Sequence, residues 1–285
     1  MNKLKKGCAL AILTGLFFPA FAAPKVQNVT LSTKDGWSLA AVYQPASGKD
    51  KTVILLHDLG KKKEDFTSFE KALTKAGFGY LALDLRGHGQ STAKGVYKTF
   101  AREGADNPFN QMVLDGQAAV EFLKAKKIAP ENIILLGTGL GANIAAKTAE
   151  KMPEVEGIGL VSPSANIRDV LPVSSIRAYK GAVMIAASAG DRKGFLEASI
   201  MRNVAFLTTG EGNVTFLTAY DFVGHELLDK YLTQSAVQWV DTPRKPEVLP
   251  DMKPVAVSTI ATDTNGVLVM PSDTEEALVP SILLD

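Results

Sequence analysis

Residues 132–150, NIILLGTGLGANIAAKTAE, run from a solid apolar stretch through three closely spaced glycines into an alanine-rich segment. Ile133–Leu136 show no polar alternation, as expected of a strand buried on both faces. Gly137, Gly139 and Gly141 form a tight turn, and residues 142–150 have helical composition. A strand that feeds at once into a helix is half of a crossover unit, and crossovers are how parallel strands are connected. The same alternation recurs along the chain. Apolar runs over 52–57, 80–85, 157–161, 182–187 and 214–219 predict strands. Helical spacing is found over 64–76, 111–127, 142–151, near 194–204 and over 225–240. Residues 26–45 read as two strands around Lys34-Asp35-Gly36. Together these predict an α/β class: a mostly parallel, twisted sheet with helices on both faces, and ligand chemistry at the carboxyl ends of its strands.

The ends of the chain differ from this body. Lys3, Lys5 and Lys6 precede an apolar run over 7–21, and Ala20-Phe21-Ala22 has the small-x-small pattern of a signal-peptidase site. The run is shorter than the roughly 20 residues a membrane-spanning helix needs. Residues 1–22 are therefore expected to be a cleaved signal peptide, placing the mature protein in a bacterial periplasm or outside the cell, with no membrane span left. Cleavage removes three of 31 basic residues and none of 30 acidic ones, leaving 28 − 30 = −2. That balance gives no nucleic-acid signal. The single cysteine, Cys8, lies in the leader, so the mature chain has no disulfide, thiol nucleophile or zinc–thiolate site. Residues 23–242 form the expected main domain. Residues 243–285 hold six of the 14 prolines and form an extension, with a possible β-hairpin over 255–270 around Asn265-Gly266.

The chemistry-bearing residues gather at predicted strand ends. All three histidines lie there: His57 in LLHDLG, His88 in LDLRGHGQS and His225 in GHELL. The glycine turn has the outline of a nucleophile elbow, G-x-S-x-G, in which a serine sits on a strained strand-to-helix turn. With LLGTGLGAN and the strand end SAGD, these segments stand in an order that resembles the α/β-hydrolase superfamily, in its dienelactone-hydrolase-like, monoacylglycerol-lipase-like and serine-aminopeptidase-like branches. The resemblance spans about 30–240 and implies an α/β-hydrolase fold. It implies His225 as general base and Asp191 as the acid that orients it, although Asp191 also reads as a helix N-cap. It implies the backbone N–H groups of Leu59 and Leu140 as an oxyanion hole. His57 and His88 would shape loops. It calls for no metal and no cofactor. The segment from Ser162 to the next strand is too short for a large lid, so the site is expected to be open.

Two positions depart from the pattern. Asp58 stands where the oxyanion loop usually carries glycine. Gly139 stands where the elbow carries serine, and it offers no hydroxyl for His225 to activate. Thr138, Ser162, Ser164 and Ser188 are the nearest hydroxyls, and none of them is expected on a sharp turn. Three readings stand open: a non-catalytic protein that binds a small ligand or a protein partner; a hydrolase of small esters or amides that uses His225 and Asp191 with water or another nucleophile; and an interaction module acting through the C-terminal hairpin.

Overall fold

The computed structural model describes residues 25–104 and 106–243. The leader over 1–22 and the hairpin over 255–270 lie outside the described residues. Eight strands form one sheet: β1 (Gln27–Ser32), β2 (Ser38–Gln44), β3 (Thr52–Leu56), β4 (Gly79–Leu83), β5 (Ile133–Thr138), β6 (Gly157–Val161), β7 (Ala182–Ser188) and β8 (Val214–Ala219). Their order is β1-β2-β4-β3-β5-β6-β7-β8. β1 pairs antiparallel with β2, and β2 with β4. All other pairs are parallel. The five strands β3–β7 are buried along their whole length, which is why they read as unbroken apolar runs.

Successive side chains of each strand feed opposite faces. In β3, Ile54 and Leu56 join one core and Val53 and Leu55 the other. The first core packs under α2 (Val113–Ala125), α3 (Leu140–Lys151), α4 (Val173–Ala178) and α5 (Arg192–Thr209). The second packs under α1 (Thr67–Lys75), α6 (Gly224–Leu227) and α7 (Thr233–Asp241), through Phe69, Leu73, Leu227, Ala236 and Trp239. Among the described residues no helix is long and apolar enough to cross a membrane.

Several boundaries differ from the sequence reading. The first helix opens with a 3-10 turn at Lys63–Phe66. α3 begins at Leu140, directly after the glycine turn. α5 extends to Thr209, because Asp191 caps its start and Gly210, at φ +82°, ends it. The expected helix over 225–240 is divided by a π-turn at Leu228–Leu232. The short α4 was not expected at all, since six residues carry too little periodicity.

The chain leaves β3 for β4 on one side and later enters β5 on the other side of β3. Strand order therefore reverses between β3 and β5, and in open α/β sheets ligands bind beyond the carboxyl ends of the strands at such a switch point. Asp58 and Leu59 lie just past β3, and Gly139 just past β5.

Candidate functional site

Gly139 takes φ +51°, ψ −115°, a conformation in which a side chain is strained. Its flanking glycines serve close packing: a Cβ on Gly141 would strike the carbonyl of Leu56, so only glycine lets α3 start this near β3. The turn is thus built as an elbow, as expected from GTGLG.

Asp58 fills that elbow. A Cβ built on Gly139 would land on the Asp58 carboxyl group. Oδ1 of Asp58 accepts from the N–H of Leu59 at 2.6 Å and from the N–H of Leu140 at 2.7 Å. These are the two amides expected to form an oxyanion hole. Both point at one oxygen, which is the geometry such a hole requires. The oxygen belongs to the protein's own carboxylate. Charge-assisted bonds of this length are the stronger class, so the side chain is firmly seated. The two departures seen in the sequence are therefore one structural feature: the carboxylate takes the room that the absent side chain leaves.

The backbone of Asp58 is fixed from beneath by His57. Leu85 N–H donates to His57 Nε2 at 3.0 Å, so Nδ1 carries the proton and donates to the Asp58 carbonyl at 2.7 Å. His57 is fully buried, and that burial, with His88 nearby, lowers its pKa to about 4. It stays neutral and structural. His88 packs edge-on against His57 and stacks on Tyr97 at a centroid distance of 4.2 Å. Burial lowers its pKa as well. The loop after β4 that carries His88 is pinned by two buried carboxylates. Asp84 accepts from Lys63 Nζ at 2.7 Å and from Gln90 N–H at 2.9 Å. Asp115 accepts from Arg86 Nε at 2.8 Å. Neither arrangement was foreseen from the sequence; DLRGHG supplied the only trace, as a polar run after a buried strand.

The loop after β8 also approaches Asp58. A Cβ on Gly224 would come within 3.8 Å of Asp58 Oδ2, and the Gly224 N–H donates to Ser162 Oγ at 2.8 Å. His225 is the next residue and is half-buried. The structure does not join it to Asp191. Asp191 is exposed and accepts from the Gly194 N–H at 3.1 Å as the N-cap of α5. Among the described residues no hydrogen bond links the two.

The hydroxyls have partners of their own. Ser164 Oγ donates to Glu197 at 2.7 Å, and Ser188 Oγ donates to the Tyr220 carbonyl at 2.6 Å. Thr138 is buried in β5. Ser162 differs from expectation: it lies at φ +50°, a sharp left-handed turn. Its place before Pro163 argues for extended backbone, so the sequence concealed this. A cleft of about 210 Å³ beside it is lined by Ser162, Ser164, Ser188, Asp191 and Glu197, among others. Among the described residues no cluster of three His, Cys, Asp or Glu side chains is placed to hold a metal ion.

The family profile of the serine aminopeptidases, S33, matches residues 47–202, more than half of the chain. The chain belongs to the serine aminopeptidase S33 family. No curated protein sequence matches it. Among solved structures, an esterase from Pyrococcus furiosus superposes with a TM-score of 0.63 at 18% identity, covering 80% of this chain and 96% of its own. A dienelactone hydrolase from Anabaena variabilis gives 0.63 at 14%, covering 79% and 100%. An esterase from Exiguobacterium antarcticum gives 0.58 at 14%, covering 75% and 99%. At such identities the likeness is one of fold, the α/β-hydrolase fold, and activity must be argued from the site of this S33 member itself.

Proposed function

We propose that this S33 family member is exported and non-catalytic, and that it binds a ligand or partner beyond the carboxyl ends of β3 and β5. The observation that carries the reading is the Asp58 carboxylate, seated on the N–H groups of Leu59 and Leu140 beside Gly139. An oxyanion of a reacting ester would need those donors, and a fixed negative charge there opposes a second one. The absence of a hydroxyl at position 139 and the separate engagement of Asp191 support the same reading. The test is fluorophosphonate labelling of the mature protein together with assays on short p-nitrophenyl esters. Neither labelling nor turnover is expected; stoichiometric labelling at any serine overturns the proposal. Export is checked by the N-terminus of the protein recovered from the periplasm or medium, expected at Ala23.

A second reading is favoured by one specific observation. Ser162 is a serine on a sharp turn, with its Oγ bound to the amide next to His225. A small ester or amide hydrolase built on Ser162 would be labelled at that residue, and Ser162→Ala would abolish both label and activity.

A further inference from the structure

Beside Leu59 lies a second cleft of about 230 Å³ lined by Leu59, Tyr97, Lys98, Arg102, Phe109 and Arg168. Three of the six lining residues are cations and none is an acid. Among the described residues no carboxylate pairs with Lys98, Arg102 or Arg168. The chain as a whole is close to neutral, with 31 basic and 30 acidic residues, so this concentration is local.

Arg168 is also held there at a conformational cost. Arg168 and Asp169 take φ +55° and +61°, and Ile167 and Val170 bridge across them. These are the signs of a type I′ turn, whose two central positions favour Asn and Gly. Two residues with full side chains in left-handed backbone are strained, and such strain persists only where the surroundings enforce it. Here they do. Asn107 Nδ2 donates to the Arg168 carbonyl at 2.8 Å, Asn110 Nδ2 to the Asp169 carbonyl at 3.0 Å, and Asn143 Nδ2 to the Val170 carbonyl at 2.8 Å. The one acid of the turn is already engaged: Asp169 accepts from the Gly104 N–H at 2.8 Å. A turn clamped by three asparagine side chains thus presents an unpaired, half-buried guanidinium to a cleft that Lys98 and Arg102 also line. Like charges in such a setting repel, and an anion relieves that repulsion.

We propose that this cleft binds a small anionic ligand, a carboxylate or phosphate group held by Arg168, Lys98 and Arg102, with its carbon skeleton on Leu59 and Tyr97. A planar guanidinium suits the oxygens of either group, and the leucine and the tyrosine ring give room for a short organic part. The proposal rests on the ligand-binding half of the proposed function and deepens it. It is independent of the elbow, so fluorophosphonate labelling and anion titration fail separately.

The experiment is calorimetric titration of the mature protein with phenyl phosphate, benzoate, inorganic phosphate and, as uncharged control, benzyl alcohol. Saturable binding of phenyl phosphate or benzoate is expected, with none of benzyl alcohol. The order of the two anions separates a phosphate site from a carboxylate site. Raising ionic strength from about 0.02 M to about 0.2 M should weaken binding severalfold, because screening shortens the reach of exposed charges. Arg168→Asn, which suits left-handed backbone, should weaken it at least about tenfold, the effect of losing roughly one charge-assisted contact. Lys98→Gln with Arg102→Gln, both outside the turn, should weaken it comparably while leaving the melting temperature unchanged. No saturable binding of any anion at millimolar concentration overturns the proposal, as does binding that all these variants retain.

Discussion

The carboxylate of Asp58 and the missing side chain of Gly139 are two halves of one arrangement, since a Cβ at position 139 would coincide with the Asp58 carboxyl group. Replacing either residue alone must therefore fail to restore a hydrolase elbow. Gly139→Ser is expected to destabilise the protein by about 1–3 kcal/mol through strain and displacement of Asp58, and to show no esterase activity. Asp58→Gly with Gly139→Ser is expected to recover part of that loss. The coupling should exceed about 1 kcal/mol, as for residues in direct contact. Slow hydrolysis of p-nitrophenyl acetate should appear in the double variant alone and vanish on adding His225→Ala. Urea unfolding of the four corners of the cycle and ester assays check this. Additive energies, or activity in the single variant, would refute the complementarity.

Asp58 itself contributes stability through its two short bonds to Leu59 and Leu140. The side chain is only half-buried, so the loss in Asp58→Ala should be about 1 kcal/mol, below that of a fully buried charged bond. Asp58→Asn keeps a carbonyl oxygen for the same two donors and should lose less. Thermal unfolding of the two variants distinguishes them; an equal loss would mean that the amides do not hold this group.

Much of this architecture was legible in the sequence. The fully buried strands β3–β7 announced themselves as unbroken apolar runs, and the elbow as glycines at alternate positions. What escaped was every feature set by contacts between distant loops. Nothing near Asp58 indicates that it reaches across 82 positions to the Leu140 amide. Arg168-Asp169 carries none of the glycine or asparagine that signals a left-handed turn; the asparagines that enforce it lie at 107, 110 and 143. Asp191 illustrates a different limit. A carboxylate after a strand and before a helix suits an acid and an N-cap equally; the bond seen in the structure is the N-cap bond from Gly194.

Stability should fall in acid because of His57. Its folded pKa, about 4, lies below the unfolded value of 6.5, with burial the main cause. The unfolded chain then binds more protons between these values, so stability rises with pH across that window and is complete above about pH 6.5. The depression of 6.5 − 4 corresponds to about 3 kcal/mol lost by pH 4. Denaturant unfolding at a series of pH values measures the slope. His57→Gln, which retains a donor and an acceptor for Asp58 and Leu85, should flatten it between pH 4.5 and 6.5; an unchanged slope would assign the acid sensitivity elsewhere.

Arg86 ties the β1–β2 turn to α2. Its guanidinium pairs with Asp35 in that turn at 2.5 Å and with Asp115 on α2 at 2.7 Å, and it lies 5.4 Å from the Trp37 ring. Asp115 is fully buried, so Arg86→Ala leaves an unpaired carboxylate in the core. Breaking a buried pair from one side costs about 3–5 kcal/mol, and most of that is the stranded charge. Arg86→Lys keeps the charge but cannot serve both carboxylates through a planar fork, and should cost about 2 kcal/mol. Arg86→Ala combined with Asp115→Ala should therefore be more stable than Arg86→Ala alone. If the double variant is instead the less stable of the two, Asp115 is not stranded and the pair is held together by something other than charge. Urea unfolding of the three variants decides between these outcomes, and it also reports on the loop after β4, because the Arg86 N–H donates to the same Asp115 carboxylate at 2.8 Å and thereby fixes the strand end that leads to His88.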